Sequence, residues 1–188
     1  MIALAYALLG MLARKPCSGY ELMKLLKLFW QAQHSQIYPL LAKLEKEGLV
    51  TFELIGQTGK PDKKLYSITD SGIDALREWI REQPPTDSTE RDEFLIKIYA
   101  IGLVDPEAGR DLFLERREAL VARLHRLEES IKLMEEEPGI PVTDIASKQF
   151  GRYLLHQRKV RMVREEIDWL DWSLPLFKPS SAQTPDHP

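Results

Sequence analysis

The feature that most constrains this chain is a change of period near residue 50. Before it, apolar residues recur at helical spacing in three consecutive segments. After it, two short runs, Val50–Ile55 and Lys64–Ile68, flank a stretch of Gly, Lys and Pro at 56–63, and a fourth helical segment follows. Three helices, a hairpin and one more helix within about eighty residues is the order of a winged helix-turn-helix. The expected fold class is therefore mainly α with a small β-hairpin: an N-terminal winged helix-turn-helix followed by a C-terminal long-helix dimerisation domain.

Local signals place the elements. Ile2, Tyr6, Leu9 and Leu12, with Leu4 and Leu8 beside them, predict a first helix over Ile2–Ala13. Ser18 with Glu21 three residues on forms a capping box, so a second helix starts there and runs to about Leu28, with Leu22, Leu25, Leu26 and Phe29 on one face. The third helix begins near Ser35. It buries Ile37, Leu41 and Leu44, tolerates Pro39 close to its start, and ends at Gly48. Thr69 or Asp70 caps a fourth helix through Ala75, Leu76, Trp79 and Ile80, with Trp79 in the core.

The predicted domains are 1–83 for the DNA-binding module, 84–90 for a Pro-rich linker, 91–174 for a helical dimerisation domain and 175–188 for a disordered tail. In the helical half, Asp105 caps a long helix that has Pro106 at its first position. Leu120, Leu124, Leu127 and Ile131 then repeat as an a/d seam that Met134 continues. Residues 137–141 break it. A last helix over Thr143–Trp172 carries a second seam of Tyr153, Val160, Val163, Ile167 and Leu170. Such seams serve a homodimer or an intramolecular antiparallel hairpin, and the two can hold together. Trp169 and Trp172 are expected to pack on the partner subunit rather than to line a pocket.

Charge divides the chain the same way. Residues 1–83 hold 11 Lys and Arg against 9 Asp and Glu, and residues 84–188 hold 15 against 20, so the net −3 hides a weakly basic first half. The polar start of the third helix, Gln33, His34, Ser35, Gln36 and Tyr38, is the part of a recognition helix that lies nearest base edges in the major groove. Gln bonds adenine in bidentate fashion, and Ser and Tyr hydroxyls suit phosphate. Lys43 continues that face, and Lys60, Lys63 and Lys64 supply a basic wing. The expected partners are double-stranded DNA and a second copy of the chain, with a small-molecule effector left open.

These segments resemble a known family. Ala5-Tyr6-Ala7-Leu8-Leu9-Gly10-Met11-Leu12, Ser18-Gly19-Tyr20-Glu21-Leu22, the run from Ser35 to Val50, and Tyr66-Ser67-Ile68-Thr69-Asp70-Ser71-Gly72 with Trp79 look like PadR-family regulators. Arg91-Asp92-Glu93-Phe94-Leu95-Ile96-Lys97 and the two long helices resemble the extended C-terminal domain of the longer subgroup. The resemblance implies a homodimer whose long C-terminal helices pack across the two-fold, one winged helix on each half of an inverted repeat, and Tyr38 at the DNA surface. Repression is the default outcome, because a dimer seated on a promoter blocks polymerase without further contacts. Phenolic acids are effectors of some members, and no residue here identifies one.

Other classes fit less well. The histidines His34, His125, His156 and His187 are scattered. Cys17 has no companion of metal-ligand spacing and reads as a small, half-buried side chain, and no phosphate loop is present. No enzyme activity, cofactor or metal is expected. A winged helix serving protein contact alone is disfavoured by the lysine wing. A MarR-like regulator would place dimer helices before the DNA module, whereas the first helix here begins at residue 2. No apolar run reaches the ~20 residues that span a bilayer, and the opening segment lacks a basic leader, so a cytoplasmic protein without membrane contact is expected.

Overall fold

The computed structural model describes residues 2–27, 30, 33–56, 63–82, 92–103 and 105–177, with the side chain of His34 outside the described set. The chain forms two compact units, Met1–Asp87 and Ser88–Pro188. Expectations for Phe29, Lys60, the linker at 84–90 and the tail beyond 177 fall outside the described residues.

In the first unit, α1 (Ala3–Leu12) is the central element. Leu4, Ala5, Tyr6, Leu8, Leu9, Met11 and Leu12 are all buried, so this helix is enclosed on nearly every side rather than amphipathic, as its sequence pattern suggested. Around it pack α2 (Gly19–Leu26), α3 (His34–Lys46) and α4 (Asp70–Glu82). The Tyr6 and Trp79 rings stack with centroids 4.6 Å apart, which fastens α4 to α1.

The predicted hairpin is present as β2 (Val50–Ile55) and β3 (Lys63–Ile68), paired antiparallel from Val50↔Ile68 to Ile55↔Lys63. A third strand that the sequence pattern does not signal, β1 (Cys17–Ser18), pairs with the other edge of β3 to give the order β1-β3-β2. Cys17 lies opposite Tyr66 and is fully buried, not half-buried, because this pairing draws it into the core.

The C-terminal end of α3 is clamped. Gly48 adopts φ +72°, Gly48 N donates to Glu45 O and Leu49 N to Leu44 O, the bonding pattern of a Schellman stop. Thr69 is the α4 cap: its hydroxyl accepts from Gly72 N and donates to Gly48 O at 2.7 Å, while its own N–H donates to Leu49 O. A Cβ on Gly72 would stand 2.2 Å from the Leu49 carbonyl oxygen, so α4 approaches this turn as closely as backbone allows.

In the second unit, Asp92 caps α5 (Glu93–Tyr99), a 3-10 turn spans Ile101–Leu103, and Asp105 caps α6 (Pro106–Glu135) with Pro106 in its first turn. α7 (Phe150–Ser173) runs antiparallel to α6, as the ion pairs Arg116–Glu166, Arg117–Asp171 and Glu128–Arg164 require. The last helix thus starts seven residues later than expected. Between 141 and 150 the backbone closes i→i−3 turns, with the Asp144 and Ser147 side chains accepting from Ala146 and Gln149 N–H groups that a helix would have used.

Within one protomer the two predicted seams close on each other. Leu120, Ile131, Val160, Val163, Ile167 and Leu170 are buried within one protomer, and Leu124 and Leu127 are packed against the same clusters. These eight side chains line the hairpin's own core, the intramolecular alternative of the two seam readings, with Leu124 and Leu127 only partly buried there. Trp169 leans on Phe113 at 5.5 Å, whereas Trp172 stays two-thirds exposed at 66%. Phe177 sits edge-on to Phe113 at 4.8 Å after the 3-10 turn Leu174–Leu176, so residues 175–177 pack on the unit.

Arg116 ties these pieces together. Its guanidinium bonds Asp92 at 2.7 Å and Glu166 at 2.8 Å while lying over the Phe94 ring. One side chain therefore joins the α5 cap to both long helices.

The clamp on α3 yields a test. Gly72→Ala is expected to lower stability by about 1–3 kcal/mol through overpacking against the Leu49 carbonyl. An unchanged urea midpoint would show that α4 can shift freely away from the turn.

Candidate nucleic-acid interface

The helix-turn-helix is built from α2 and α3. Ser18 N–H and Oγ both donate to Glu21 Oε2, at 2.7 and 2.6 Å, and Glu21 N–H returns a bond to Ser18 Oγ. The same carboxylate oxygen receives Lys63 Nζ at 3.2 Å, so the wing is tied to the helix pair through Glu21. These partners, the Ser18 hydroxyl and N–H before the Lys63 ammonium, hold the Glu21 carboxyl down at about 2.

Along α3, Ile37, Leu41 and Leu44 point into the core, and Gln33, Ser35, Gln36, Tyr38 and Lys43 are exposed on the opposite side. The sequence pattern thus places the polar face correctly relative to the core. Gln36 is less free than expected. Its Oε1 accepts from Gln33 N–H at 3.0 Å as a cap of the helix, which uses one of that oxygen's two lone pairs and orients the amide. A bidentate adenine contact needs both amide atoms, so the oxygen would share its second lone pair with the base while the NH2 donates.

Pro39 is the sixth helical residue and lies beyond the four positions whose N–H groups are unbonded anyway. The Ser35 carbonyl consequently lacks its i+4 donor, a cost the proximity to the helix start does not remove. Tyr38 is 46% exposed, and its ring rests against Gly19 at the start of α2. Tyr66, buried beneath the sheet, has its phenol pushed up first by burial and then by Glu45 and Tyr38 nearby.

Among the described residues, the wing lysines Lys63 and Lys64 have partners already. Lys63 is held by Glu21, and Lys64 Nζ lies 3.6 Å from the centroid of the Phe52 ring, capping the open end of the core. Lys43 pairs with Glu47 at 3.7 Å. Exposed pairs of this kind contribute roughly 0–1 kcal/mol, so a phosphate can displace them at small cost.

Residues 8–78 match the family described as Transcriptional regulator PadR-like, and residues 90–178 match that described as Virulence activator alpha C-term. The negative transcriptional regulator PadR of Bacillus subtilis is 37% identical over 182 residues, covering 94% of this chain and 98% of that protein. The chain belongs to the PadR-like family of transcriptional regulators. It is a regulator and not an enzyme. The crystal structure of Bacillus subtilis PadR with operator DNA superposes with a TM-score of 0.78 at 33% identity, over 94% of this chain and all (100%) of that one. The same protein with p-coumaric acid gives 0.71 at 34% identity, over 93% and 98%.

Seen as a PadR-like module, the interface has contributors that residue-type reasoning passed over. Glu21 joins the wing to α2, Phe52 carries Lys64, and Thr69 with Gly72 holds the end of α3. Glu21 was signalled by its spacing from Ser18, and Thr69 as a cap of the fourth helix. The rest depend on contacts between residues far apart in the chain.

The low Glu21 pKa implies a pH dependence. Its folded value lies below the unfolded one, so its contribution is complete above pH ~4.5 and is lost as pH falls through about 2. Thermal melts should show Glu21→Gln less stable than wild type at neutral pH. The gap should close between pH 4.5 and 2, and a gap independent of pH would contradict the assignment.

Proposed function

We propose that this protein binds double-stranded operator DNA as a homodimer and represses transcription, with α3 in the major groove and the wing against the backbone. The observation that carries this is the exposed polar start of α3, displayed by a helix whose other face is sealed in the core of a winged helix. In this reading Gln33, His34, Ser35, Gln36 and Tyr38 meet the DNA, with Gln36 acting as a donor. Lys43, Lys60, Lys63 and Lys64 contact phosphates by exchanging weak surface pairs for charge-assisted ones. Two winged helices related by a dimer axis read an inverted repeat.

The domain limits follow the division into separate modules: 1–83 for DNA, 84–90 as linker and 91–174 for pairing. The seam residues pack within the protomer but leave Leu124 and Leu127 partly open, so pairing draws on them together with the exposed faces beside them. The candidates are Tyr99 and Leu103, exposed at 95% and 88%, and the outer face of α7 with Leu154, Met162 and Trp172. A small aromatic acid is the effector class that the p-coumaric acid complex of the Bacillus subtilis relative supports. No helix among the described residues is long and apolar enough to cross a membrane, and a regulator of transcription works in the cytoplasm.

Selection of bound duplexes from random-sequence DNA tests the proposal, and recovery of an inverted repeat is the expected result. On the selected duplex, Gln36→Glu keeps the capping oxygen and removes the donor, so affinity should fall by about 1–3 kcal/mol. Wild-type affinity would mean that Gln36 caps only. Replacing Lys60, Lys63 and Lys64 together should lower the slope of log K against log salt by about 0.9 for each phosphate left without its lysine. An unchanged slope would place the wing away from DNA.

A further inference from the structure

We propose that Gly19 is a positioning residue for Tyr38, and through it for a DNA contact of the recognition helix; the second half rests on the reading of Tyr38 given above. Gly19 is buried and is the first residue of α2. Its backbone does not call for glycine, since the positive-φ glycines among the described residues are Gly48 and Gly139. Within a helix, alanine in its place is intrinsically the better residue. What glycine supplies here is the absence of a Cβ. One built on Gly19 would stand 2.8 Å from Tyr38 Cε1, 3.0 Å from Cζ and 3.1 Å from the phenolic oxygen. The hydroxyl end of the ring therefore rests directly on the α2 backbone.

That contact joins the two helices of the reading head at one point. Tyr38 is the yielding partner, because its ring is the far end of a two-torsion side chain and 46% of it is exposed. A methyl at position 19 moves the ring and leaves the helices in place. A hydrogen bond to phosphate tolerates a spread of only about 0.5 Å in donor–acceptor distance, so a displaced hydroxyl no longer reaches its acceptor while the fold survives. Stability and affinity are then expected to move in opposite directions, which a merely structural role of Gly19 would not produce.

The test uses the full chain and the duplex that the wild-type protein selects from random DNA. Gly19→Ala should melt at or above the wild-type temperature and bind about tenfold more weakly, the loss of one hydrogen bond to a charged group. In a Tyr38→Ala background the same substitution should change affinity no further. Without DNA, the ring-carbon NMR resonance of Tyr38, assigned with Tyr38→Phe, should shift in Gly19→Ala. An unmoved resonance, or a melting temperature several degrees lower, overturns the claim that Gly19 seats the ring. Equal losses of affinity in both backgrounds overturn it as well, because Gly19 would then act on DNA by itself. Wild-type binding by Tyr38→Ala overturns the DNA reading of Tyr38 and the functional half of the proposal, leaving the NMR shift to judge the positional half.

Discussion

The outward face of α3 is set by what the helix buries. Ile37, Leu41 and Leu44 recur at four and three residues and lie at 1%, 0% and 1% exposure, sealed against α1 and α2. A rotation of the helix by one residue would carry all three toward water, at roughly 1.5–3 kcal/mol for each side chain. The phase of the polar face is thereby fixed by hydrophobic burial before any polar contact forms. The clamp at Gly48, Thr69 and Gly72 then fixes the position of the helix along its axis. Core and clamp together make a rigid display of side chains, which is what recognition of a fixed spacing of base pairs demands.

Polar groups near that display serve fold and interface at once. Glu21 caps α2 and holds Lys63, Gln36 caps α3, and Lys64 lies on Phe52. A basic residue at the edge of a small sheet finds a local partner because nothing else nearby neutralises it. The first unit is only weakly basic, so its lysines act as reserves held by weak contacts. Their energetic scale, below that of a charge-assisted bond to phosphate, allows the exchange without unfolding anything.

Much of this was legible in the sequence where one element carries its own signal. The Ser18–Glu21 box, the Gly48 stop, the Asp105–Pro106 start and the buried stripe of α3 each depend on residues a few positions apart. What escaped depends on distance in the chain. β1 is two residues long, too short for a period of two to appear, and exists because β3 offers it an edge. Thr143 reads as a helix start until the Asp144 and Ser147 side chains compete for the backbone. An a/d repeat states that a helix has a seam and not whose seam it meets; the run from Leu120 to Ile131 meets α7 of its own protomer.

That self-closed hairpin has a consequence for how the regulator responds to its own abundance. Apolar side chains such as Tyr99 and Leu103 stay exposed outside the hairpin core for a second chain to cover, so the population of dimer depends on protomer concentration by mass action. Occupancy of a paired site then rises with about the square of protomer concentration when dimers are scarce, a sharper dependence than a single polypeptide can give.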